Sequence, residues 1–374
     1  MRDLTVSIYF MWEWWEQYFH KNIPRPGVVD EDALDTIYLK RKRFLFEEFG
    51  GFGIGEEIPV MDGAYVNMVL KYGMDLIPYL FGAELTCQNV GGWMSGPFSK
   101  ETLAKLEPVD IAEHPFAEYL LKEKEKKLKR YGSVNVFLDY ESPTNIAARL
   151  RGEEFYLDLI DDEGFVRHLL QLSTESICNI FKFGVTYFPP ASYHGVYDIS
   201  LGNCNVTLLS PEMYVEIIKP FDLKFAVCSE KLSGMSDRLL LHHCDVEVDK
   251  FIEAYRDIPN LKAIQASHRS DIARVMDRIP GVSFCAMLNP GEMRNMAPNE
   301  LESAIERMIK LGSVELDLWN IDPSIAPEQL RSIFGMISKY SRKYNVEAQF
   351  KVIPFCWDEL EWAFPRYQSR HCIL

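Results

Sequence analysis

The residues best suited to chemistry stand together in the stretch "RLLLHHCDVEVDKF", positions 238–251. Side chains alternate along a strand, so His242 and Cys244 project from one face while Leu239 and Leu241 turn toward the other. Imidazole nitrogen and thiolate sulfur are preferred ligands of zinc, and a catalytic zinc takes three protein ligands with one position left open. The pair supplies two of them. His243 points the opposite way, either as a support behind the pair or as a surface residue. A histidine and a cysteine at a strand end also fit a bland reading, in which both are simply packed or exposed. Asp198, at the end of "GVYDIS", is a candidate polar anchor or proton acceptor, or equally a residue that caps a helix or solvates a loop.

Something must hold these residues in place, and the chain offers a regular series of elements. "DRLLLH" (237–242), "LKAIQAS" (261–267), "VSFCAML" (282–288) and "SVELDLW" (313–319) are strand candidates, each followed by a polar turn and a helical pattern. Such alternation implies parallel strands with helical crossovers. "GSVNVFL" (132–138) and "HGVYDISLG" (194–202) extend the series upstream. Helix starts are marked by Ser210 before Pro211, and by Asn299 with Glu302 three residues on. Leu330, Ile333, Phe334 and Ile337 repeat at the spacing of a buried helix face. The pattern predicts one (β/α)8 TIM barrel over about 61–350, with residues 1 to about 60 as an N-terminal helical, aromatic addition. An open doubly wound sheet gives a similar pattern. In a barrel, catalytic residues sit at the C-terminal ends of the strands, where His242 and Cys244 fall.

Composition narrows the function classes. With 47% hydrophobic residues in 374, the chain can bury a large core. A formal net charge of -15 excludes non-specific attraction to a phosphate backbone, so no nucleic-acid partner is expected. The eight cysteines follow no framework and several lie in apolar runs, which points to a reducing compartment, the cytoplasm. No run has the length needed to cross a bilayer, so no membrane partner is expected. The start, "MRDLTVSIYFMWEWWEQYFHKN", reads as an amphipathic helix, because Glu13 and Glu16 interrupt the apolar run a signal peptide needs. Trp12, Trp14 and Trp15 on it suit packing against a barrel, an aromatic wall for a methylated substrate, or the contact of a homo-oligomer.

The segment "LLLHHCDVEVDKFIE" resembles the "LH-x-C" strand of the corrinoid-dependent methyltransferases related to uroporphyrinogen decarboxylase, the group that includes the methylcobalamin:coenzyme M methyltransferases. "IPYLFGAELTCQNVGGWMSGP", "ESPTNIAARLRG", "LLSPEMYVEIIKPF", "AMLNPGEM" and "SIAPEQL" are similar to further blocks of that family in the same order. The resemblance implies a (β/α)8 barrel in which zinc, held by the His-x-Cys pair and a third cysteine, binds a thiol or activates a methyl group. It also implies transfer of that methyl group between a corrinoid and a small methylated substrate or a thiol or folate acceptor. The chain has no "D-x-H-x-x-G" corrinoid signature, so the methylcobalamin would arrive on a partner corrinoid protein. One departure matters: the family's third cysteine should fall near Asn320, where "LDLWNIDPSIAP" has none. Cys204 in "ISLGNCN" is the favoured replacement, with Asp317 and Asp322 as oxygen alternatives; Cys285 reads as core.

A decarboxylase-like lyase is the alternative reading. That reaction needs cations for an acidic substrate, and "MWEWWEQYF" stands where the decarboxylases carry an arginine-rich segment. The expected tyrosine corresponds to Ala148, and a histidine is missing from "WNIDPSIAP"; Asp75 stands near the place of the decarboxylase aspartate, though closer to Pro78 than in that family. A barrel that has lost its chemistry and serves as a binding subunit is a third reading, left open by the missing cysteine.

Overall fold

The computed structural model describes residues 2–19, 31–61, 64–66, 75–88, 91–94, 96–132, 134–136, 141–188, 199–234, 236 and 238–353. Its strands are β1 (Arg2–Phe10), β2 (Ala64–Val66), β3 (Leu85–Gln88), β4 (Gly91–Met94), β5 (Val134–Val136), β6 (Ile199–Gly202), β7 (Leu239–His242), β8 (Leu261–Ser267), β9 (Ser283–Leu288), β10 (Glu315–Ile321) and β11 (Val346–Val352). Seven form one parallel sheet in the order β11-β1-β10-β9-β8-β7-β6. β2 and β5 pair in parallel, and β3 with β4 makes an antiparallel ribbon. From β6 to β10, spatial order follows chain order with a helical segment between successive strands, the arrangement the strand–helix alternation predicts.

The start of the chain corrects one expectation. Residues 2–10 are a strand, and helix begins only at Trp12. The reason lies in "LTVSIYF", where Leu4, Val6, Ile8 and Phe10 alternate and are all at most 1% exposed. β1 lies between β10 and β11, with Thr5 opposite Glu315 on one side and Gln349 on the other. An aromatic run that looked helical throughout therefore changes period at Met11. Trp14 and Trp15 are buried, and Trp14 Nε1 donates to the carbonyl of Ile325 at 2.8 Å.

The chain groups into two compact units. The first is Met1–Asp62, Cys244–Asp249 and Ile264–Pro365; the second is chiefly Gly63–His243 and Lys250–Ala263. In the first, β1, β9, β10 and β11 are covered by helices such as Pro298–Leu311 and Pro327–Lys343, whose Leu330, Ile333, Phe334 and Ile337 are buried as their spacing predicts. The helix Pro298–Leu311 starts two residues earlier than its Asn299 signal suggests. Pro298 takes the first helical position, and Glu300 accepts from the backbone N–H of Ala297 at 3.0 Å. In the second unit, the long helix Glu163–Tyr187 packs on Lys219–Ser233, with the rings of Phe181 and Phe225 6.3 Å apart. Ser210 caps its helix through Met213 N, as expected.

Candidate metal centre

Parallel pairing of β6 with β7 sets the geometry. Gly202 is opposite His242, so both strands end at the same level, and Asn203 N carries the ladder one step further by donating to the His242 carbonyl at 2.8 Å. Cys204 follows at once, at the head of a 3-10 turn over Cys204–Leu208. On β7, Leu239 and Leu241 are fully buried while Leu240 and His242 are half-buried, the alternation the sequence predicts. Cys244 stands two residues beyond His242, so their separation is set by local backbone; Asp245 then turns the chain with a φ of 51°, a conformation aspartate tolerates.

Cys204, His242 and Cys244 each offer one ligand atom, and these atoms all lie within 4.8 Å of one another. Tetrahedral zinc with bonds of about 2.0–2.3 Å needs donors roughly 3.5 Å apart, so small rotations of these side chains suffice. One nitrogen and two sulfurs fit zinc by donor chemistry, and three protein ligands leave a fourth position for a substrate. Cys244 is exposed, and Cys204 and His242 are half-buried, so the centre can be reached from solvent.

Among the described residues, neither Asp317 nor Asp322 joins this group. Asp317 is fully buried on β10, where it accepts from Gln265 Nε2; burial and the neighbouring Glu315 push its carboxyl well above the usual range. Asp322 is used by a turn, accepting from Ser324 N at 2.8 Å. Cys285 is buried core. Asp198 lies outside the described residues. Asp75 is fully buried in the second unit and accepts from Arg149 Nε at 2.6 Å and Nη2 at 3.0 Å.

His243 is not a surface residue. It is fully buried, its Nε2 lies 3.0 Å from Tyr255 Oη, and burial lowers its pKa to about 4. Behind it is a polar network the sequence reading missed. Asp222 Oδ2 accepts from Asn203 Nδ2 at 2.8 Å and from Tyr214 Oη at 2.9 Å. Burial raises the Asp222 carboxyl to about 7, against the opposing pull of those two hydrogen bonds. The one signal for it was an acid inside the apolar helix "PFDLKFAV".

Glu141 was also missed. Its Oε2 accepts from Asn145 Nδ2 at 2.7 Å, and Asn145 Oδ1 accepts from Asn205 N at 3.0 Å, which ties the turn after β5 to the residue following Cys204. A Cβ at position 202 would lie 2.5 Å from Glu141 Oε2, so the missing side chain of Gly202 lets the end of this glutamate lie against the strand. Nearby, Ala148, Arg149, Tyr156 and Asn205 line a cleft of about 320 Å³, a size suited to a small molecule.

No family model and no curated protein matches the chain. Among solved structures it is similar to a methyltransferase from Methanosarcina mazei, with a TM-score of 0.55 and 14% identity over 81% of this chain and 85% of that one. The fold is a (β/α)8 barrel. A structure described by inhibition of the pneumococcal virulence factor StrH and N-glycan recognition aligns at a TM-score of 0.35 and 11% identity, over 92% of this chain and 84% of that one, too weak a likeness to carry an argument.

Proposed function

We propose that this protein is a zinc-dependent methyltransferase that moves a methyl group between a corrinoid and a small methylated substrate or a thiol or folate acceptor. The observation that carries the reading is the convergence of Cys204, His242 and Cys244 at the ends of β6 and β7. The likeness to a methyltransferase of the same fold supports it. Zinc bound there would lower the pKa of a coordinated thiol, so that its nucleophilic thiolate exists at neutral pH.

The chain's own residues do the rest. Cys204, His242 and Cys244 would hold the ion as two thiolates and one neutral imidazole. Glu141, held over Gly202 by Asn145, places a carboxylate beside the strand end, where it can accept a proton from an entering thiol. The corrinoid comes on a separate protein. Lyase chemistry on an acidic substrate is not favoured, because Asp75 is buried against Arg149.

Metal analysis of protein purified with added zinc tests the reading, together with methyl transfer from methylcobalamin to a panel of thiols. One equivalent of zinc is expected in the wild type and none in His242→Ala or Cys204→Ser. A zinc-replete wild type that holds no metal, or a metallated one that never demethylates methylcobalamin with any acceptor, counts against it.

A further inference from the structure

The methyl-transfer reading makes no use of Asp222, yet the fold buries this carboxylate completely on the helix Lys219–Ser233. Burying a carboxylate is unfavourable unless it is hydrogen-bonded. Its two partners show what it is connected to. Tyr214 opens a π-helical turn, Tyr214–Ile218, just ahead of Pro220, which has no N–H to give a regular helix. Asn203 is the residue between β6 and Cys204.

Asn203 is itself fully buried, with φ −112° and ψ 39°, outside the regular helix and strand regions. Its backbone N–H holds the carbonyl of His242, and its side-chain Nδ2 holds Asp222. Among the described residues its Oδ1 has no hydrogen-bond partner, so Asp222 is the anchor of this side chain. One buried carboxylate thereby fixes a backbone turn that touches His242 on one side and presents Cys204 on the other.

We infer that Asp222 is a positioning residue for the Cys204–His242–Cys244 centre, acting through Asn203 to hold Cys204 at ligand distance. The inference rests on the metal reading above. Removing groups that orient metal ligands typically weakens binding by about 10–100-fold, because the ligand must then be ordered as the ion binds.

The test measures Zn²⁺ affinity by competition with a chromophoric chelator, and Co²⁺ absorption for ligand geometry, in the full chain. Asp222→Leu removes the acceptor and is expected to weaken Zn²⁺ binding by about 10–100-fold and to distort the tetrahedral Co²⁺ spectrum. Asp222→Asn keeps an acceptor oxygen in the same volume and should bind like the wild type, while Asn203→Ala, which breaks the same bond and leaves residue 222 unchanged, should reproduce the loss, as a loss caused only by the packing of leucine would not. A folded Asp222→Leu protein, judged by circular dichroism, that binds Zn²⁺ like the wild type overturns the inference. Should Asp222→Leu not fold, Asn203→Ala carries the test, and unchanged affinity there overturns it equally. A wild type without Zn²⁺ affinity removes the metal reading itself, whereas equal binding by wild type and variants removes only the role of Asp222.

Discussion

Asp222→Asn should change how the stability of the metal-free protein depends on pH, and the size of the change follows from two buried groups. In the fold, the Asp222 carboxyl is raised from 3.8 to about 7 and the His243 imidazole is lowered from 6.5 to about 4, each mainly by burial. Near pH 5 the native state therefore holds a proton on Asp222 that the unfolded chain has lost, while the unfolded chain holds one on His243 that the native state lacks. The proton counts match, so these groups together give almost no slope between about pH 4 and 6.5. Taken singly they oppose. The Asp222 contribution is present below its unfolded pKa and lost as pH rises through about 7, whereas the His243 contribution is present above 6.5 and lost as pH falls through about 4.

At about 1.4 kcal/mol per unit, the Asp222 contribution spans roughly 4 kcal/mol and that of His243 roughly 3 kcal/mol. Replacing Asp222 by asparagine deletes the first and exposes the second. The stability of the variant minus that of the wild type should rise by about 4 kcal/mol between pH 4 and pH 8, and subtraction cancels the remaining carboxylates of the protein. Urea denaturation in the presence of a chelator, followed by tryptophan fluorescence at half-unit pH intervals, measures this difference. A difference curve flat to within about 1 kcal/mol would refute the claim that burial raises the carboxyl's pKa to about 7.

Other consequences are simpler to check. Gly202→Ala puts a methyl group against Glu141 Oε2 and should turn this side chain away from Asn145, at a cost of about 0.5–1.5 kcal/mol for the lost hydrogen bond, measurable by the same denaturation; a Glu141→Ala background in which Gly202→Ala costs just as much would contradict the contact. Arg149→Met takes the bidentate partner from fully buried Asp75 and should destabilise by about 3–5 kcal/mol, and pairing it with Asp75→Asn should restore much of that in a double-mutant cycle. The hydrogen-bonded thiols Cys178 and Cys228 sit on neighbouring helices, and that bond raises the first and lowers the second. Iodoacetamide should then modify Cys228 before Cys178 in peptide mapping; equal rates would contradict the assignment.

Much of the barrel could be read directly. β8 coincides with "LKAIQAS", and β7, β9 and β10 lie within two residues of their expected bounds, because apolar runs between polar turns carry enough local signal. β1 was hidden for the opposite reason. "LTVSIYF" and "MWEWWEQYF" are continuous in aromatic and apolar content, and only the partners on either side decide that the first is a strand. At the site, His242 and Cys244 were legible because strand alternation is local. Cys204 could be named as the favoured third ligand, with Asp317 and Asp322 as alternatives, but its place beside the pair rests on the register of a second strand, Gly202 opposite His242, which a sequence does not state. Asp222, Tyr214 and Tyr255 were out of reach, since their value as partners of Asn203 and His243 arises only when distant helices pack.

The placement of β1 also bears on how the molecule is made. Its two neighbours, β10 and β11, begin at Glu315 and Val346, more than 300 residues later. At about 5–20 residues per second of synthesis, this apolar strand waits roughly 15–60 s without the backbone partners it will finally have. Contacts this distant in sequence are slow to close, because loop entropy must be lost before they form. Pairing of the first strand with the last two therefore becomes possible only when nearly all of these residues have been made. A chaperone that shields "LTVSIYF" during that interval would raise the yield of folded protein without touching any residue of the metal centre.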